Sequence, residues 1–433
     1  MWAKTPLSTQ NIGGWPPDAS IIFAADPQPG SRGAELEVSM YQRFCVLFLF
    51  LIVMAMVSLP VRAQQPCPTF SVAVGSDEDQ LMLAINGADN PKEQLAALDK
   101  FAQAHADSKF MPCVNEYYST VNLKLQDYDK SIEYGEKDLA ANYQDLNLYL
   151  TLLRAYAGST KVSDTIFAVI NKVPDQAKAE IGTPARPAKA TDAEWDKIQK
   201  DSQELSKDSH DLAVWAFFQL VPRVTDPAKQ IQVVDTFLKA YPEAEKDQAA
   251  QVNTLYFQAY RAQGNMEKTV EYGDKVTAAD PNNVVVLNTL GLIQAFYLPH
   301  PALDKAAECA HKALAAAQGL KKPDGVDDAA FKKDQDSQMG IAHLLVGYTA
   351  LMKAERSTKL APIIEELKSA GTMLDSNPAL QGQALYYLAF AYEKQYPANH
   401  HGAMEALNKA VTLPGPFQGQ SRALLAKVQA AAK

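Results

Sequence analysis

Four cysteines stand in 433 residues and no two are spaced Cys-x-x-Cys, so neither a local redox pair nor a zinc knuckle is encoded. The chain also lacks a His-Glu-x-x-His helix, a Gly-x-Ser-x-Gly elbow, a phosphate-cradling Walker loop and the Gly-x-Gly-x-x-Gly dinucleotide fingerprint. It has no cationic excess. A net charge of −9 argues against nucleic acid and anionic membrane surfaces, both of which call for basic patches. Aspartate and glutamate are scattered singly on polar faces, so no carboxylate pair offers general acid–base chemistry. His400-His401 are adjacent, which on a helix sets them about 100° apart, and no nearby cysteine completes a metal set. They read as a solvated loop pair, and His311 and His343 as structural histidines. These absences imply a protein that is not an enzyme and carries no cofactor and no metal.

What remains is a helix-forming chain. It is 47% apolar and 21% charged, enough to bury a sizeable core. Alanine is abundant while Val, Ile and Thr are modest, which favours helix over strand. The N-terminus reads differently. Residues 1–39 carry Pro16-Pro17, Pro27 and Pro29-Gly30 without apolar periodicity, and read as a disordered stretch or an over-extended gene prediction. Met40-Tyr41-Gln42-Arg43, an uncharged run over 44–59 and Pro60-Val61-Arg62-Ala63 have the anatomy of a secretory signal spanning 40–63. The competing reading is a retained anchor over 44–61, although the run is short of the roughly 20 residues a spanning helix prefers. An exported chain would keep Cys67, Cys113 and Cys309. That odd count leaves at least one free thiol, with a Cys67–Cys113 bridge and a free buried Cys113 both open.

Helices begin at residue 77 after a leading segment, 64–76. Around Gly264–Asn283, two short amphipathic helices are separated by Gly264-Asn265 and closed by Asp280-Pro281, since proline cannot continue a helix. Leu255, Tyr256, Ala259 and Tyr260 make the apolar face of the first, and Val270, Tyr272, Gly273 and Val276 that of the second. Helices that each need a neighbour to cover one face are the mark of a stacking repeat. Blocks also recur along the chain. Pro91, Gln94, Asp99, Phe101 and Ala104 return 136 residues later as Pro227, Gln230, Asp235, Phe237 and Ala240. Glu133-Tyr134-Gly135 returns as Glu271-Tyr272-Gly273, and Leu152 as Leu290, at an offset of 138. The expected organisation is a first block over 77–192 with a polar excursion at 174–192. A second follows over 193–330 with a loop at 319–330, and then C-terminal pairs with a capping helix over 331–433.

With Pro281 as the closing proline and Gly264-Asn265 at the inter-helix turn, the unit of about 34 residues is similar to the tetratricopeptide repeat. The competing reading is a generic helical bundle. The resemblance implies an all-α, right-handed superhelical solenoid of antiparallel helix pairs, whose first helices line a groove for a peptide or protein partner. Carried onto this chain, the inward positions are Glu116, Thr120, Asn147, Leu150, Arg154, Thr254, Gln258, Arg261, Asn288, Leu292, Leu344, Tyr348, Tyr386, Phe390 and Glu393. The chaperone-binding members of the family clamp a terminal carboxylate with Lys and Asn, and here those slots hold Glu116, Thr120, Thr254 and Gln258. Lys100–Lys109 and Phe237–Lys246 resemble segments of envelope proteins of this family. The implied role is a non-enzymatic scaffold, periplasmic or outer-membrane-associated. A small-ligand or polysaccharide binder that stacks on Tyr348, Tyr386 and Phe390 is the alternative, and homo-oligomerisation a third.

Overall fold

A computed structural model describes residues 73–432 except 142–143, 183, 324 and 356–357. The expected signal, the anchor alternative and Cys67 lie outside the described residues. Those residues contain eighteen α-helices and no strand, so the fold class is all-α. They divide into two compact units, one ending at Leu255 and the other starting at Tyr256.

The first unit holds α1 (Asp77–Asn86), α2 (Pro91–Ala104), α3 (Met111–Lys124), α4 (Tyr128–Ala140), α5 (Leu146–Gly158) and α6 (Asp164–Glu180). It continues through α7 (Asp192–Leu220), α8 (Pro227–Ala240) and the single turn α9 (Ala244–Asp247). Helix α10 (Ala249–Ala262) carries the unit boundary. The second unit adds α11 (Met266–Ala279), α12 (Val284–Leu292), α13 (Leu303–Gln318) and α14 (Asp328–Lys353). It closes with α15 (Ala361–Met373), α16 (Pro378–Lys394), α17 (His400–Ala410) and α18 (Gln418–Ala431). Inside each unit a helix packs mainly on those one or two places along the chain. The contacts two places along join α3 to α5, α5 to α7 and α6 to α8 in the first unit, and α12 to α14, α14 to α16 and α16 to α18 in the second.

The internal copy is visible in local geometry. Asp127 caps α4 by accepting from Lys130 N, and Asn265, 138 residues on, caps α11 by accepting from Lys268 N. Asp145 and Asn283 repeat this at α5 and α12. Such caps each stabilise a helix by about 1 kcal/mol. The turn before α11 needs a left-handed residue, supplied by Gly264 at φ +74°; the equivalent turn before α4 places Gln126 there at φ 60°. Glycine is also demanded by close packing. A Cβ on Gly135 would lie 2.6 Å from Leu152 Cδ2, and one on Gly273 2.6 Å from Leu290 Cδ2. The surface repeats as well. Tyr118–Tyr134 stack at 4.4 Å beneath Lys137, and Tyr256–Tyr272 at 4.6 Å beneath Lys275.

The expected excursion at 174–192 is shorter than its composition suggests. Helix α6 runs through Pro174 to Glu180. Proline has no N–H for the carbonyl of Ile170, four residues back, and Tyr241 supplies the missing donor through its hydroxyl at 2.8 Å. A second substitute donor works at the end of α5. Arg223 gives its guanidinium to the carbonyls of Tyr156 (3.1 Å), Ala157 (3.1 Å) and Ser159 (2.6 Å), groups that a helix end leaves without partners. His400 and His401 start α17 rather than lying in a loop, with His400 Nδ1 bonded to both Glu393 oxygens at 2.9 and 3.0 Å.

Candidate functional site

The positions named from the sequence as facing inward divide by how much of each is used inside its own unit. In the first unit, Glu116 on α3 is fully buried and accepts from Asn147 Nδ2 on α5 at 2.6 Å. The two residues therefore bind each other, joining α3 to α5. Leu150 is buried, and the buried hydroxyl oxygen of Thr120 has no hydrogen-bond partner among the described residues. Arg154, two turns beyond Asn147 on the same face of α5, is exposed. Even so, desolvation lowers its guanidinium pKa, with only the charge of Asp208 on α7 opposing. Thr254 spends its hydroxyl on the carbonyl of Ala250 at 2.8 Å.

The second unit has a different character. Gln258 is exposed, while Arg261 lies over the Phe257 ring at 6.0 Å. Asn288 is buried, donating to the carbonyl and the side-chain oxygen of Gln338 at 3.0 and 2.9 Å. Leu292 and Leu344 are buried core. Tyr348, Tyr386 and Phe390 are half-buried, as is Glu393 beside His400. The structure brings Tyr348 and Tyr386 into one run of rings through residues that periodicity did not single out. Phe296 contacts Tyr348 at 4.4 Å, Tyr348 contacts Tyr387 at 4.7 Å, and Tyr387 contacts Tyr386 at 5.4 Å. Phe417 closes the run, 5.3 Å from Tyr386 and 5.5 Å from Tyr387. Burial raises the phenol pKa of Tyr348, Tyr386 and Tyr387, so all three stay neutral. Phe296 is aimed by a π-helical stretch, Ile293–Tyr297, that follows α12. Successive rings are tilted by 41°, 50° and 70°, so the run is notched rather than flat.

Two open clefts of about 490 and 480 Å³ lie in the first unit. The first is flanked by Asp129, Lys130, Glu133, Glu136, Tyr156 and Lys161, with Lys161 bridged to Asp129 at 3.2 Å. The second runs between Gly182-Pro184 and the amide and hydroxyl face Gln199, Ser202, Gln203 and Ser206. Among the described residues no group of three His, Cys, Asp or Glu is arranged to hold a metal ion, and no helix is long and apolar enough to cross a membrane.

Cys113 is buried and disulfide-bonded. Cys309 is a free thiol, its Sγ 3.9 Å from Gln294 Oε1 and its pKa pushed up to about 11 by burial. A thiol so desolvated is a poor nucleophile.

This is an all-α chain in which, within each of its two units, helices pack mainly on near neighbours in sequence. No protein-family model and no curated protein matches it in sequence.

Proposed function

We propose that the chain is a non-enzymatic scaffold of the cell envelope, a tetratricopeptide-like solenoid that takes a peptide or protein partner along its row of first helices. The observation that carries this reading is the packing of alternate helices. Contacts from α3 to α5 to α7, and from α12 to α14 to α16 to α18, are those a stacked helix-pair repeat makes between its first helices. Along that row Arg154 and Gln258 are exposed, and Tyr348, Tyr386 and Phe390 half-buried, a mixture that suits a peptide held by hydrogen bonds and aromatic anchors. The bridged Cys113 supports an exported protein, because structural disulfides persist in oxidising compartments. The test is in-cell crosslinking of the tagged full-length chain, followed by mass spectrometry of the envelope fraction. A recurrent partner lost on replacing Arg154 and Gln258 with alanine supports the scaffold. Recovery of self-crosslinks alone would transfer the reading to oligomerisation.

One observation favours a second reading. The run Phe296–Tyr348–Tyr387–Tyr386–Phe417 is half-exposed aromatic surface of the kind that stacks on a sugar chain. A glycan array bound by the full chain, with binding lost in Tyr386→Ala, would establish it.

A further inference from the structure

We propose that the cleft beside the first half of α7 is a binding site for a neutral oligosaccharide, held by hydrogen bonds from two glutamines and two serines and by stacking on Trp195. The site shares no residue with the aromatic run or with the groove positions named above, and it rests on neither reading of them.

Residues 192–208 are the half of α7 that precedes its first buried residue, Ser209. Nine of these seventeen residues are charged. Yet Gln199, Ser202, Gln203 and Ser206, which share one helical face at spacings of three and four, are all neutral. They line the cleft of about 480 Å³ whose other wall is Gly182 and Pro184. Trp195, one turn ahead of Gln199 on the same face, is half-buried and joins no ring pair among the described residues.

None of these five side chains makes a hydrogen bond among the described residues. Comparable groups elsewhere are spent. Ser209 turns its hydroxyl back to the carbonyl of Leu205 at 2.7 Å, and Thr289 to that of Val285 at 2.8 Å. On the long helix of the second unit, Gln335 donates to the carbonyl of Ala317 at 2.9 Å and Gln338 accepts from Asn288 at 2.9 Å. The strip on α7 keeps its whole donor and acceptor capacity and faces open space.

The ligand class follows from the chemistry of the walls. Lys207 and His210 also line the cleft, but Asp211 at 2.6 Å and Glu243 at 2.7 Å hold them, which disfavours a phosphate or carboxylate ligand. The strip itself carries no carboxylate for an amine. Peptides are captured by sheet edges, apolar grooves, aromatic slots or basic clusters, and the described lining provides none of these. It provides amides and hydroxyls, each able to donate and to accept, beside one indole plate. A sugar ring answers both, because its hydroxyls donate and accept while its C–H face is apolar and stacks on the indole. From Trp195 to Ser206 the strip is about 16 Å long at 1.5 Å per residue, enough for several linked rings.

The test titrates the full chain with maltohexaose, cellohexaose, xylohexaose and N-acetylchitohexaose, read by calorimetry and tryptophan fluorescence. At least one should bind and shift the emission, and the shift should vanish in Trp195→Phe. Gln199→Ala combined with Gln203→Ala should weaken binding about tenfold or more, as the loss of two or more hydrogen bonds requires. Thermal unfolding of that variant should match the parent, because no internal hydrogen bond is lost, and Tyr386→Ala should bind as the parent does. Binding of none of the four overturns the proposal. So does tighter binding of hexagalacturonate, which makes the ligand an anion, or of an end-blocked Gly-Ser dodecapeptide, which makes it a peptide. Binding unchanged by the double glutamine variant also overturns it, and loss in Tyr386→Ala then moves the sugar to the aromatic run.

Discussion

Asp138 on α4 is fully buried, and neither of its oxygens makes a well-formed hydrogen bond. Burial raises its pKa from 3.8 to about 8; the Asn115 side chain opposes this, and the charges of Glu116 and Asp145 add to it. The internal copy carries Val276, also buried, at the equivalent place 138 residues later. Asp138→Val therefore installs a residue that the same fold already accepts there. The sign follows from proton binding. A carboxyl with a raised folded pKa keeps a proton that the unfolded chain releases, so its stability contribution is full below about pH 4 and declines until about pH 8. Between 3.8 and 7, at 1.36 kcal/mol per pH unit, the penalty reaches about 4 kcal/mol. Urea unfolding of parent and variant at pH 5, 6, 7 and 8 measures it, provided the transition of the first unit is followed separately. The variant should be the more stable at pH 7, with the gap widening by about 1.4 kcal/mol per pH unit and levelling above 8. A gap independent of pH, or a variant less stable at pH 8, would refute the assignment.

Three further outcomes are expected. Gln126→Gly should stabilise the first unit by about 1 kcal/mol, because the left-handed turn that Gly264 makes freely strains a residue with a Cβ; urea midpoints decide the sign. Tyr241→Phe should cost about 1–2 kcal/mol by stranding the Ile170 carbonyl, and much less in a Pro174→Ala background, where the helix regains its own N–H; a double-mutant cycle that proves additive contradicts this. Non-reducing peptide mapping should recover Cys113 bridged to Cys67 with Cys309 free, and a free Cys113 thiol would defeat that pairing.

Much of the fold was legible because its signals are local. The pairs Asn90-Pro91, Asp226-Pro227 and Asn377-Pro378 mark helix starts, and each cap residue does accept from the first turn. The offset of 138 was legible in Glu-Tyr-Gly because the glycine is required by the leucine packed against it. What escaped depends on contacts distant in sequence. Pro174 reads as a helix stop until Tyr241, 67 residues away, is seen at the freed carbonyl. Glu116 and Asn288 read as inward polar groups because periodicity gives a face but not the depth of its cover. The aromatic run was half legible: Tyr348 and Tyr386 fall on the right phase. Tyr387 is one residue off it, Phe296 follows a helix that changes pitch, and Phe417 comes from a loop before α18. The doublet Tyr386-Tyr387 was the signal that could have extended the run.

The central claim is that the row of first helices is where the partner sits. A photo-activated crosslinker placed in the cell at Gln258, exposed on α10, and in a second strain at Lys275, exposed on the second helix α11, tests it most directly. The account predicts one recurrent protein adduct from the Gln258 position and none from Lys275. Adducts of the same partner from Lys275 alone, or equally from both positions, would contradict it.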